Sequence, residues 1–226
     1  MIDYKYAYLI GCLIGLAVWL FLFLYRKKIR KEMLFMSLLI APLGPISEFF
    51  YFRDYWKPEY ILNILGVGIE DLLFGFIIGG IAAAIYEEFF VKKFKRTKGE
   101  KNSAIILLGI IGIVLLILFI YFFKINSIYA SSLGFLIIGI MILFRRRDLI
   151  KNAILSGILV ALIMFIIYLV YFLIFPNLVN KWWYLKDISG ILILKVPIEE
   201  LIWGFSWGFL AGPFYEFWKG YKEAET

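Results

Sequence analysis

Residues 6–25 read YAYLIGCLIGLAVWLFLFLY, twenty positions without a charged side chain. At 1.5 Å per residue, a helix of that length spans the hydrocarbon core of a bilayer, about 30 Å. The basic run RKKIRK follows, with no small-residue cleavage site between them, so the segment reads as a spanning helix and not as a removed leader. Six more apolar segments follow, at about 33–51, 61–88, 104–123, 128–144, 152–175 and 188–218. The chain is 63% hydrophobic and 18% charged, which is a membrane composition. The expected fold class is an all-α polytopic membrane protein with seven transmembrane helices.

The net charge of +7 does not point to nucleic acid, because the basic residues sit in short clusters between the apolar segments. Of the 24 Lys and Arg, 17 fall in the loops after segments one, three and five and in the C-terminal tail. The basic-rich side is expected to be cytoplasmic. This places the N-terminus outside, the C-terminus in the cytoplasm and the protein in the cell membrane.

There is no His, and Cys12 is the single Cys. A disulfide framework, a His- or Cys-based metal site and any Ser-His or Cys-His nucleophile are therefore excluded. Chemistry is left to carboxylates, Lys, Tyr and Ser, and no metal site is expected. No Gly-rich dinucleotide fingerprint is present, so no cofactor is expected.

Sliding the chain on itself by 129 residues aligns 55–87 with 184–216, giving 14 identities without a gap. Tyr55 falls on Tyr184, Glu70 on Glu199, Gly75 on Gly204, Gly79 on Gly208 and Glu87 on Glu216. Shared apolar composition would not bring acids and glycines into register. Segments three and seven run the same way, so the repeats are expected to be parallel, related by an axis along the membrane normal. The expected organisation is a first three-helix repeat over 1–100, a linker helix over 101–126 and a second repeat over 127–226.

Each repeat carries an acidic pair, Glu70–Asp71 and Glu199–Glu200, in a segment read as helix from 61 and from 188. That reading sets the acids about nine and eleven residues into their helices. A charged side chain at bilayer depth costs roughly 2.5–3.5 kcal/mol on insertion scales, so such residues mark function or pairing. Glu70 and Glu199 are expected to face a central cavity. Asp71 and Glu200 lie on the faces with Gly75 and Gly204, which suit close helix contact. Lys195, four residues before Glu199, is expected to pair with it. Pro197 is expected to open the backbone of the seventh helix, Gly66 and Gly68 to loosen the third, and Pro42 and Pro45 to kink the second beside Glu48. Phe74, Trp203 and Trp207 lie at acid depth, where ring faces could stabilise a cation. Glu87, Glu88 and Glu216 read as solvated anchors at the cytoplasmic ends, and Trp182, Trp183 and Trp218 as interfacial anchors.

The segments VPIEELIWGF and VGIEDLLFGF, with YWKPEYI before the first-repeat pair and YEEFF and YEFW after the two pairs, resemble the lycopene cyclase domain of archaea, some bacteria and fungi. Gly68 stands where that family usually has Pro, and Gly75 and Gly204 where a second aromatic is common. The resemblance implies two three-helix domains and closure of ionone-type rings at the ends of an acyclic carotenoid. It makes Glu70, Asp71, Glu199 and Glu200 the acid–base groups of a redox-neutral isomerisation. The partners would be a lipophilic polyene from the bilayer and membrane lipids. Three other readings compete. A proton-coupled transporter also buries carboxyls, but needs a polar path that the segments, poor in Ser, Thr, Asn and Gln, do not supply. A retinal protein would use Lys195. A carotenoid end-group hydratase would trap the same cation with water.

Overall fold

The computed structural model of the chain describes residues 3–25, 27–64, 66–90 and 94–223. Leu65, one of the aligned identities, lies outside them. The described residues are predominantly helical, in the order α1 (Ala7–Tyr25), α2 (Arg30–Ile40), α3 (Leu43–Tyr51), α4 (Ile69–Phe90), α5 (Asn102–Ile117), α6 (Ser127–Arg145), α7 (Ile150–Ile174), α8 (Leu178–Trp182) and α9 (Ile198–Lys219). Five helical stretches are long and apolar enough to cross a membrane, and six are if α2 and α3 count as one broken span. That break is a 44° bend where Pro42 and Pro45 interrupt the second segment. The helix α9 is not among those stretches, because Trp, Gly, Ser and Pro residues between its acids keep its mean hydropathy low. It lies inside the bundle, with Trp203, Gly208, Ala211 and Phe217 all buried.

Helix ends follow local chemistry. Asn126 accepts a bond from the Ile128 N–H at 3.1 Å and so caps α6. Gly220 ends α9 with φ of 75°, a left-handed conformation that only Gly adopts without strain. Arg146, between α6 and α7, bridges Asp148 at 2.7 Å and also reaches the carbonyls of Glu216 and Tyr221. The hydrogen bond to Asp148 holds its guanidinium above the ordinary value.

The small-residue stripes do what their spacing predicts. A Cβ on Gly79 would lie 2.7 Å from Cβ of Ile40, and one on Gly208 would lie 2.5 Å from the Ser156 carbonyl oxygen. Absence of side chains at these positions lets α4 press against α2 and α9 against α7, the equivalent helix pair of the other repeat.

Three contacts join residues of one repeat to their own counterparts in the other. Trp56 and Trp183 form an antiparallel bridge in which the Tyr184 N–H donates to the Tyr55 carbonyl at 2.9 Å. Midway along the helices, Trp207 Nε1 donates to the carbonyl of Ile78 at 3.2 Å. Beyond their C-termini, strand β1 (Phe94–Arg96) pairs with β4 (Tyr221–Glu223) so that Phe94 opposes Glu223. Tyr55–Tyr184, Ile78–Trp207 and Phe94–Glu223 are each separated by the repeat offset of 129 residues. An element meets its own counterpart only at a twofold axis. The contacts therefore trace a pseudo-twofold running along α4 and α9.

Candidate active site

The acidic pairs are not deep in their helices. The helices α4 and α9 begin at Ile69 and Ile198, so Glu70, Asp71, Glu199 and Glu200 occupy first turns. The residues read as the start of the seventh helix instead form a hairpin of β2 (Leu192–Ile193) and β3 (Val196–Pro197), turned by Leu194 and Lys195 at φ of 48° and 74°. The first repeat copies it. Ile64 and Val67, counterparts of Ile193 and Val196, form the same bridge, with Gly66 at φ of 90°. Pro197 therefore does not open a helix. Its fixed φ of −57° starts one. Gly66 and Gly68 likewise precede α4.

Placement at a helix start changes the electrostatics. The first turn exposes unpaired N–H groups and the positive end of the helix dipole, a setting that stabilises negative charge. All four acids are nonetheless buried, at 0% to 5% exposure, beneath the loops that lead into their helices.

Those loops donate to the acids. The Ile61 N–H bonds Glu70 Oε1 at 3.0 Å, and the Ser189 N–H bonds Glu199 Oε1 at 2.9 Å. Glu199 Oε1 also accepts from the Tyr129 hydroxyl at 2.5 Å. Asp71 accepts from the Gly68 N–H at 2.8 Å and the Tyr60 hydroxyl at 3.1 Å. Glu200 differs, because its donors are all side chains. Oε1 accepts from the Tyr55 hydroxyl and from Trp183 Nε1 at 2.8 Å, and Oε2 accepts from the Tyr168 hydroxyl at 2.7 Å.

Lys195 makes no ion pair with Glu199. It sits exposed at the hairpin turn, outside α9, so the four-residue spacing is not a helical spacing. Arg146–Asp148 is the one salt bridge found among the described residues.

The expected cavity faced by Glu70 and Glu199 is also not what forms. A largely apolar cavity, roughly 940 Å³ of empty space counting its open mouth, lies between α1, α3, α4, α7 and α9. Two acids line it, Glu48 and Glu200, and Glu70 and Glu199 do not. The expected facing of the α9 pair is thus reversed, because Glu199 turns to its loop and Glu200 to the interior. Glu48, on α3, accepts one bond, from Trp56 Nε1 to Oε2 at 3.1 Å. Phe74 and Trp203 line the cavity beside Tyr51, with ring centroids of the first two 6.1 Å apart. Trp207 is not part of the lining and stacks on Trp203 at 6.2 Å.

Two further expectations fail by burial. Glu87, Glu88 and Glu216 are buried at 1%, 4% and 2% exposure, and are not solvated anchors. Glu87 and Glu216, counterparts on the twofold, converge with Glu32 so that one carboxylate oxygen of each lies within 4.8 Å of the others. Asn152 Nδ2 donates to Glu87 at 2.6 Å. Carboxyls this close and this buried require shared protons or a cation between them. Trp182 and Trp183 are buried too, at 2% and 4%, and belong to the core beside Trp56.

The sequence reading missed Tyr55, Tyr168, Trp183, Tyr129 and Ser189 as partners of the acids. Tyr55 stood out only as a repeat identity. A Tyr inside an apolar segment needs a partner for its hydroxyl, and Tyr168 gave that signal.

Comparison with known proteins agrees with the geometry of two copies. The family model for lycopene cyclase matches the chain twice, over residues 5–89 and 126–218, leaving α5 outside both matches. No curated protein and no solved structure matches it. Two copies of the acidic helix start, facing each other across a pseudo-twofold and together matching most of the chain, place this protein in the lycopene cyclase family.

Proposed function

We propose that the protein is a membrane-integral carotenoid cyclase that closes ionone-type rings at the ends of an acyclic polyene by carboxyl acid–base catalysis. The observation that carries this is the cavity. It is apolar enough for a polyene end group, lined by rings that stabilise a carbocation, and holds carboxyls able to give and take protons. Protonation of the terminal alkene, ring closure by the next double bond and loss of a ring proton give a redox-neutral isomerisation, with no cofactor called for. The polyene would enter from the bilayer, in which the chain is held by seven spans arranged as two parallel repeats joined by α5, with the C-terminus cytoplasmic. Glu200 is the acid of the family motif that stands in the cavity wall, while Glu70, Asp71 and Glu199 lie outside it, bonded to the loops before their helices.

The retinal reading loses its support, since Lys195 is an exposed turn residue and not a residue of the bundle. The test is expression in a lycopene-accumulating bacterium with chromatography and mass measurement of the pigment. Cyclisation alters retention at constant mass, whereas hydration adds the mass of one water per end group. Unchanged pigment, with the protein present in the membrane, would refute the proposal.

A further inference from the structure

We infer that Glu48 on α3 is the catalytic proton donor and Glu200 on α9 its paired base, so that the reaction chamber is built from one acid of each repeat and not from the two repeated acidic pairs. The inference rests on the cyclase reading and adds to it the identity of the reacting groups.

Cavity access is the first observation. Glu48 and Glu200 line the same chamber with Tyr51, Phe74 and Trp203, while Glu70, Asp71 and Glu199 line none of it. A group that must touch the polyene has to be in that wall.

Hydrogen-bond supply divides the roles. Glu200 accepts from three neutral donors, Tyr55, Trp183 and Tyr168, spread over both oxygens. Three donors favour the anion against the cost of burial and fix its orientation, which suits Glu200 to receiving a proton and facing positive charge. Glu48 has one donor, Trp56 on Oε2, and its other oxygen has no donor among the described residues. That oxygen can carry the proton into the chamber.

Symmetry is the third observation. The counterpart of Glu48 is Asn177, an amide that is no carboxylic acid. The counterpart of Glu200 is Asp71, whose oxygens are held by Gly68 and Tyr60 away from the cavity. The duplicated frame therefore yields an asymmetric chamber with both partners in it.

The step balances. The Glu48 O–H breaks as a C–H bond forms at the terminal alkene, leaving a tertiary cation. The π pair of the next alkene closes the six-membered ring and moves the charge to an adjacent carbon. Glu200 takes a ring proton, and the C–H pair becomes the new double bond. One proton enters and one leaves, and the returning proton resets Glu48.

The test compares wild type, Glu48→Gln, Glu48→Asp, Glu200→Gln, Glu70→Gln and Glu199→Gln in membranes supplied with lycopene. Readouts are ring formation and bound polyene, the latter by quenching of Trp fluorescence. Glu48→Gln and Glu200→Gln are expected to bind polyene yet lose about 10²-fold or more in rate. Glu70→Gln and Glu199→Gln should keep most of it. Glu48→Asp, with the proton withdrawn by about one bond length, is expected to be about 10²-fold slower, and it decides the matter if the Gln variant fails to accumulate. A Glu48→Asp or Glu48→Gln protein at full speed overturns the assignment and leaves the cyclase reading standing. A wild type that binds polyene without forming rings overturns both.

Discussion

The acidic pair of α4 and that of α9 begin from the same sequence and end in different places. Both stand in a helix first turn, behind a tight hairpin, under a loop N–H that bonds the first acid. They part at Gly68 in the first repeat against Pro197 in the second, and at Asp71 against Glu200. Gly68 has an N–H, which it donates to Asp71 at 2.8 Å, folding that carboxylate back over its own helix start. Pro197 has none. Glu200, one methylene longer than Asp71, turns away to three aromatic donors and reaches the cavity wall. A duplicated motif can thus hold a structural cap in one copy and a reactive group in the other, with the difference made by one backbone donor and one methylene.

The strongest way to break this comparison is to exchange the charges. Glu200→Gln should lower ring formation about 10²–10⁴-fold, the usual range for an acid–base group. Asp71→Asn should cost about 1 kcal/mol of stability, as for one weakened hydrogen bond, with activity changed only a few-fold. Equal losses of activity in the two variants would remove the distinction.

Next in size is Gly68→Ala. The added Cβ would lie 2.2 Å from the Tyr60 ring and 2.5 Å from Glu70 Oε2. Thermal unfolding in detergent should show a loss of about 1–3 kcal/mol, as for other overpacked sites. A fully stable variant would mean that the first-repeat cap is not tightly built.

Pro197→Ala gives the second repeat the donor it lacks. A new N–H competing for Glu200 is worth about 1 kcal/mol, so cyclisation should slow about fivefold. Unchanged kinetics would show that the missing donor does not control the orientation of Glu200.

The smallest effect belongs to Lys195→Met. An exposed turn residue without an ion pair should change stability by no more than about 0.5 kcal/mol and leave ring formation intact. A large loss in this variant would reinstate the pairing with Glu199 that the hairpin geometry rules out.

Hydropathy and periodicity by themselves determined the membrane class, the limits of α1, α6 and α7 to within about two residues, the bend at Pro42 and Pro45, the close-packed glycine faces and the duplication. These are properties of local composition and spacing, and the bilayer reads them segment by segment. The starts of α4 and α9 were not legible in the same way. The loops ILNIL and ILILK are as apolar as a spanning helix, because in a membrane protein a hairpin tip need not be polar. Pro197 was the available signal, since proline favours the first position of a helix over its interior. Only the tertiary structure decided which acids meet. Tyr55 reaches Glu200 across 145 residues and Tyr129 reaches Glu199 across 70, and Glu48 joins Glu200 in one cavity through the packing of α3 against α4 and α9. A one-dimensional pattern carries which side chains are costly to bury. Which donors offset that cost depends on where the second repeat folds against the first, and the twofold contact of α4 with α9 settles that in space.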